Sequence, residues 1–449
     1  MSSWSPTHWR SKPVVQQPAW PDEAAFERVL GELSARQPLV RIGEIQHLQD
    51  ELADVYNGKA FVLQAGDCAE TFTDFSFDIV RNKLKIILQM AVVLTYSGGV
   101  PIVKIGRIAG QFAKPRSEPV EKIGDLEIPS FRGHIVSGDD KTLEARTPDP
   151  TRLLRAYDQS AETIDILRGL TKGGFADLRQ VHEWNAEFIA SSPEGRRYEE
   201  LAGEVDRSIA FMQSTGHDVD VDQFLHEVDL YTSHEALLLG YEEALTREYR
   251  GQYFATSAHT VWIGERTRQL DGAHIDYAKG LANPIGVKIG PSATVDDVTG
   301  LVKTLNPDHI PGRLMFVSRM GVNNVREKLP PLVEAVSKTD IPIIWLSDPM
   351  HGNTHFAEGG QKTREFEDIV NEIAGFFSVL DDQGVRPGGI HVELTGEDVT
   401  ECTGGSDQLT EAQLHENYVT ACDPRLNARQ SLDLAFNVAE LLKRESPSD

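Results

Sequence analysis

Three cysteines in 449 residues, Cys68, Cys402 and Cys422, are far too few for a disulfide scaffold and predict a reducing, intracellular setting. Positive charge is scarce too: 44 lysines and arginines stand against 69 aspartates and glutamates, a net charge of −25, which argues against broad nucleic-acid binding. Long apolar runs are missing. The best stretch, 86–94, is interrupted by Gln89 and falls far short of the roughly 18 to 20 residues a membrane span needs. Residues 1–10 lack the basic start and apolar run of a secretory signal, so a cytoplasmic protein is expected. No Gly-, Ser- or Pro-rich linker marks a second domain, and the 40% hydrophobic content suffices for one large core, which excludes disorder.

What is present has a repeating grammar. Residues 1–57 read as an N-terminal extension, with Pro13, Pro18 and Pro21 followed by helical patterns at 23–34 and 42–55. Short apolar runs then recur, each followed by a polar tail and a helix, at 60–64, 101–105, 228–231, 253–255, 286–289, 314–317, 341–346 and 389–393. Continuous apolar strands alternating with helices predict a parallel sheet covered on both faces. Eight of them predict a (β/α)8 barrel, with 1–449 as a single barrel domain. A long helix is expected at 77–96, stopped by Ser97-Gly98-Gly99. The interval between strands two and three, about 120 residues, is too long for a structureless loop. A hairpin is expected within 126–136, helices at 150–168, 178–190 and 194–214, and the stretch 170–225 is expected as a helical insert decorating the barrel.

In such barrels the loops after the strands build the active site. The strand ends deliver Cys68, Arg107, Glu265 with Arg266, Lys288, Arg319, Asp348 with His351, and Glu393. Two chemistries separate. Cys68, His351, Glu393 and Asp423 offer a thiolate, an imidazole and two carboxylates, a set suited to Mn, Fe, Co or Zn better than Mg. Arg107, Lys114, Arg116, Arg266, Lys288 and Arg319 form a cationic set that needs an anion, which implies a small, multiply charged phosphate ester. Each residue also has an ordinary reading: Cys68 as core filler, Glu393 paired with a structural arginine, Asp423 as a turn residue, the arginines as rim salt bridges. Those readings weaken together, because they require many independent coincidences at one rim. His391 shares a strand face with Glu393 and is expected to support a neighbour or rest satisfied in the core. Cys402 has no evident catalytic partner, and whether Ser257, His259 and Trp262 line the pocket stays open.

Five stretches carry a family resemblance: Gln64-Ala65-Gly66-Asp67-Cys68-Ala69-Glu70, Lys114-Pro115-Arg116-Ser117, Trp262-Ile263-Gly264-Glu265-Arg266-Thr267-Arg268, Asp348-Pro349-Met350-His351-Gly352-Asn353 and Cys422-Asp423-Pro424-Arg425-Leu426-Asn427. The chain resembles the type II (plant-like) 3-deoxy-D-arabino-heptulosonate 7-phosphate (DAHP) synthases over nearly its whole length. The resemblance implies a (β/α)8 barrel that condenses phosphoenolpyruvate with erythrose 4-phosphate and releases phosphate, the first step of the shikimate pathway. It implies Cys68, His351, Glu393 and Asp423 as metal ligands, with Mn2+ the usual metal and Co2+ or others accepted. It also implies that Arg107, Glu265, Arg266, Lys288 and Arg319 hold phosphoenolpyruvate, with Lys114 and the following Pro-Arg-Ser near the substrate carboxylate and the aldose. Lys288 and Glu265 are the candidates for moving protons and ordering water.

A homo-oligomer is expected by the same likeness. In some longer members the extension and insert bind aromatic amino acids as inhibitors, and some dock a chorismate mutase. Cys422, beside Asp423, raises a Cys68–Cys422 disulfide that would eject the metal under oxidation. The competing readings are another metal-dependent aldolase or sugar-phosphate enzyme on the same barrel, and a silent effector-binding homologue.

Overall fold

The computed structural model describes residues 4–445 apart from 125, 174, 177, 192–202, 204–206 and 208–227. Eight parallel strands close into a barrel: β1 (Phe61–Gly66), β2 (Ile102–Arg107), β3 (Tyr231–Glu235), β4 (Thr260–Ile263), β5 (Ile285–Ile289), β6 (Leu314–Ser318), β7 (Ile344–Ser347) and β8 (Gly389–Glu393). Each strand pairs with its chain neighbours, and β1 closes the ring on β8. The strands β1, β5, β6, β7 and β8 are buried along their full length, which is why they read as continuous apolar runs.

Alternation sends every second residue inward. Toward the strand starts the inward set is apolar: Val62, Val103, Ile105, Tyr231, Met315, Val317, Ile344 and Leu346 form one cluster. Leu48, Leu52 and Val55 complete it from one face of the helix Ile42–Tyr56, so this helix stoppers the barrel mouth opposite the strand ends. Each such buried side chain contributes about 1.5–3 kcal/mol. Toward the strand ends the inward set becomes charged, with Arg107, Lys288, Asp348 and Glu393 all buried. The helix Phe77–Gly98 begins at the Ser76 side chain, which accepts from Ile79 N–H, and ends at Gly99 in a left-handed conformation at φ 62°.

Several expectations are corrected. Residues 253–255 are not the fourth barrel strand. They belong to Gln252–Ala255, which pairs antiparallel with Thr246–Tyr249 around a turn whose Arg250 and Gly251 both have positive φ. The barrel position falls to Thr260–Ile263, which pairs in parallel with β3 and β5. The third strand begins where it was expected to end, at Tyr231. Its polar residues defeat an apolar-run criterion, yet Ser233 donates to the Gly106 carbonyl at 3.0 Å and His234 meets Glu242 at 2.7 Å, so burial leaves these two partnered. The hairpin starts upstream of 126–136, pairing Val120–Ile123 with Leu126–Pro129. Helices occupy Arg152–Lys172 and Leu178–Ser191. The helix expected at 194–214, and with it most of the insert at 170–225, lies outside the described residues.

Candidate active site

The ends of β1 and β8 and the loop at 422–425 meet because a buried charge network ties them. Arg425 donates to Asp67 at 2.9 Å and to Glu401 at 2.8 Å, while Lys83 pairs with the other Asp67 oxygen. Asp423 N–H then donates to Cys68 Sγ at 3.2 Å. The ligating atoms of Cys68, Glu393 and Asp423 lie within 4.8 Å of one another, and His351 Nε2 is 3.1 Å from Glu393 Oε1. The structure therefore gathers three of the four expected ligands, Cys68, Glu393 and Asp423, into one group, and His351 adjoins it through Glu393. The other His351 nitrogen, Nδ1, is 2.8 Å from Asp348 Oδ2, the arrangement that fixes a metal-ligating imidazole. A thiol and two carboxylates within reach of one another, with an imidazole against one of the carboxylates, fit a divalent transition metal. A second group, His47, Glu51 and Asp229, lies among the strand starts and is more open to solvent.

Cations crowd these acids. Lys114 Nζ is 3.1 Å from both Glu393 Oε1 and Asp423 Oδ2, and Lys362 reaches Asp423 Oδ1 at 2.8 Å. Arg364, wholly buried, places Nη2 2.9 Å from Glu393 Oε2 and donates through Nη1 to the Pro424 carbonyl. Burial works to raise the Glu393 carboxyl, but His351, Lys114, Arg364 and Arg107 outweigh it and hold that group well below the ordinary carboxylate range. For Cys68 burial dominates and pushes the thiol well up. Cys68 and Cys422 are both free thiols, and their mutual influence works to lower the Cys422 thiol and raise that of Cys68. Cys402 is buried in the main core, its thiol pushed up to about 12 by burial.

Beside this cluster a cavity of about 70 Å³ is lined by Arg107, Lys114, Arg266, Lys288 and Arg319 together with Trp262, Glu235 and Glu265. Arg107 lies 4.9 Å above the Trp262 ring, donates to the Asp67 carbonyl at 3.0 Å and pairs with Glu393 at 2.8 Å. Lys288 pairs with Asp348; burial brings its ammonium down to about 8. Arg266 donates to Ser117 Oγ at 2.7 Å, and Arg319 to the His351 carbonyl at 2.9 Å. A second basin of about 340 Å³ shares Lys114, Pro115, Arg266 and Asp423 with the first and adds Arg116, Ser117 and Lys362. The loop that carries Lys114 is anchored by Glu70, whose carboxylate accepts from the N–H groups of Ala109, Gly110 and Gln111 at 2.8–3.0 Å.

The two pocket glutamates differ. Glu265 is engaged on both oxygens, by Gly290 N–H at 2.7 Å and by Arg268 and Ser292 at 3.0 and 3.1 Å. Glu235, at the end of β3, was missed by the sequence reading, and its buried Oε1 has no hydrogen-bond partner among the described residues. Burial raises its carboxyl against the pull of Lys114, Lys288, Arg107 and Arg266. Gly264 packs on that carboxylate so closely that a Cβ would collide with Oε1. Extending the inward alternation Tyr231, Ser233, Glu235 was the signal that could have found it. Trp262 lines the cavity, whereas Ser257 is turned to Glu242 and His259 to Thr232 and Glu44.

Fold and site together define a class: (β/α)8-barrel enzymes with a candidate metal centre opening onto an anion-binding cavity. The profile of the class-II DAHP synthetase family matches residues 4–439. The chain is 52% identical over 437 residues to the phospho-2-dehydro-3-deoxyheptonate aldolase of Streptomyces coelicolor, covering 97% of this chain and 96% of that one. It is 49% identical over 441 residues to the enzyme of the same name from Mycolicibacterium smegmatis, covering 96% and 93%. The chain belongs to the class-II DAHP synthetase family, and it is an enzyme. A solved DAHP synthase from Thermotoga maritima aligns over 86% of this chain and 69% of that one with 14% identity and a TM-score of 0.38, too low to add to the fold argument.

Proposed function

We propose that the chain condenses phosphoenolpyruvate with erythrose 4-phosphate and water to give DAHP and inorganic phosphate, opening the route to chorismate and the aromatic amino acids. The observation that carries this reading is the shared wall between the ligand cluster Cys68, His351, Glu393 and Asp423 and the cavity of Arg107, Lys114, Arg266, Lys288 and Arg319. A divalent metal held by those four residues, Mn2+ by preference, would supply Lewis acidity to the aldehyde oxygen.

The remaining work falls to side chains. Arg107 on Trp262, Arg266, Lys288 and Arg319 bind the phosphate and carboxylate of phosphoenolpyruvate and turn its C3 toward the aldehyde carbon. The outer basin, with Arg116, Ser117 and Lys362, takes the phosphate end of erythrose 4-phosphate, and Lys114 stands between the two compartments. As C3 bonds to the aldehyde carbon, the former carbonyl oxygen takes a proton and C2 becomes electron-poor. Lys288, with an ammonium brought near neutrality, is suited to give that proton. Water adds to C2, and the phosphohemiketal then expels phosphate. Glu235 lines the cavity with one oxygen free of hydrogen bonds among the described residues and is suited to accept the proton of that water, a part for which Glu265 has no unengaged oxygen. A cytoplasmic location fits the three free thiols, and by the family likeness this reading includes a homo-oligomer, with aromatic amino acids and a chorismate mutase as candidate effectors and partner.

Phosphoenolpyruvate consumption and phosphate release, measured with and without erythrose 4-phosphate and with and without chelator, test the proposal. Loss of both signals on omitting the aldose or adding chelator supports it. Phosphate retained in the product would favour another aldolase, and no consumption under any condition a silent homologue; neither alternative is favoured by the family match.

A further inference from the structure

Beneath the anion cavity an unbroken chain of buried polar groups crosses the barrel interior. Ser233 Oγ bonds the Gly106 carbonyl at 3.0 Å, Gln64 Nε2 bonds Ser233 Oγ at 3.0 Å, His391 Nδ1 is 2.7 Å from Gln64 Oε1, and His391 Nε2 meets Arg107 Nη1. Ser233, Gln64, His391 and Arg107 are each no more than 2% exposed, so water cannot substitute for a missing partner.

The direction of every bond follows from one end. A backbone carbonyl only accepts, so the single Ser233 proton points at Gly106. Ser233 must then accept from Gln64, which requires the amide nitrogen on that side and turns the amide oxygen toward His391. An oxygen there demands a proton on His391 Nδ1. At the far end a guanidinium only donates, which demands a bare Nε2. The two ends agree on one tautomer.

We propose that Ser233, Gln64 and His391 are positioning residues that lock His391 with its proton on Nδ1, so that Nε2 serves as the acceptor aiming the Arg107 guanidinium at the phosphoenolpyruvate anion. The inference rests on the proposed function for its ligand but not for its bonding pattern. Trp262 braces the arrangement, its ring 5.2 Å edge-to-face from His391 and 4.9 Å beneath Arg107. Glu393 pulls on Arg107 from the other side at 2.8 Å, so without the imidazole acceptor the guanidinium would turn toward that carboxylate and away from the cavity.

Two amide replacements separate positioning from packing. His391→Gln can place an oxygen where Nε2 stood, whereas His391→Asn reaches only the Nδ1 position. Binding of phosphoenolpyruvate to the metal-loaded chain, followed by titration calorimetry, is expected to weaken roughly tenfold or more in His391→Asn and to stay within about threefold of wild type in His391→Gln. Equal losses in the two variants would overturn the proposal. Nitrogen-15 histidine spectra of wild-type chain loaded with diamagnetic Zn2+ provide the second readout, with the His391 resonance assigned by its loss in either variant. A proton on Nδ1 alone is expected; a proton on Nε2 would overturn the proposal even if neither variant folded well enough to titrate, the assignment then coming from a perturbed shift in Ser233→Ala. Failure of wild type to bind phosphoenolpyruvate, with the Nδ1 proton present, would count against the proposed function and leave the bonding pattern standing.

Discussion

Replacing Arg364 with Met removes a guanidinium that touches neither cavity yet joins two segments carrying candidate ligands. Its Nη2 is 2.9 Å from Glu393 Oε2, both side chains are 0% exposed, and its Nη1 binds the carbonyl of Pro424, next to Asp423. Breaking a buried ion pair by deleting one partner costs about 3–5 kcal/mol. Glu393 keeps Arg107 at 2.8 Å and Lys114 at 3.1 Å, so the loss should fall at the lower end of that range. The larger consequence is on ligand placement, where loss of such an outer partner weakens metal affinity about 10- to 100-fold. Thermal or urea unfolding with and without Mn2+ reads both effects. At a metal concentration of about 100 Kd the wild-type chain should gain about 2.7 kcal/mol, and a site roughly 30-fold weaker only about 0.9 kcal/mol at the same concentration. Arg364→Lys, which keeps the charge and loses the fork, should fall between. An unchanged metal-dependent gain in Arg364→Met would refute the reasoning.

Other outcomes follow from the same geometry. Arg266→Ala should raise the phosphoenolpyruvate KM and depress turnover, since a wall of both basins is lost; steady-state kinetics with an unchanged KM would remove Arg266 from the site. Cys68→Ser should weaken metal binding in chelator competition, because a hydroxyl is a poorer ligand than a thiolate. Glu372, held between Gly321 N–H at 2.8 Å and Asn353 at 2.7 Å, is raised by burial from 4.5 to about 8. Its folded-state pKa lies above the unfolded one, so its contribution is full below pH 4.5 and is lost as pH rises toward 8. Glu372→Gln should therefore flatten the decline of stability between about pH 5 and 8 in urea titrations, and an identical slope in variant and wild type would contradict the assignment.

The strands that carry ligands were the easiest to read. β8, Gly389–Glu393, is a buried apolar strand ending in a carboxylate, and burial of that kind requires a partner. β3 was misplaced and Glu235 missed because an inward face of Tyr231, Ser233 and Glu235 looks like a loop until its partners across the barrel are known. β4 was misplaced for a different reason: the run at 253–255 is as apolar as a barrel strand, and only its antiparallel partner Thr246–Tyr249 shows that it belongs elsewhere. Arg364 and Gln64 carry no local signal, because their roles arise from contacts with residues 29 and 327 positions away along the chain. The convergence of Cys68 with Asp423 likewise depends on the Asp67, Arg425 and Glu401 network, which no spacing encodes.

The proposed chemistry needs one divalent ion seated among Cys68, His351, Glu393 and Asp423 beside the cationic cavity. Anomalous diffraction at the manganese edge, from crystals grown with Mn2+, locates that ion directly. The predicted result is a peak within coordination distance of Cys68 Sγ, His351 Nε2 and the carboxylates of Glu393 and Asp423. No peak there at saturating Mn2+, or a peak only at His47, Glu51 and Asp229, would contradict it.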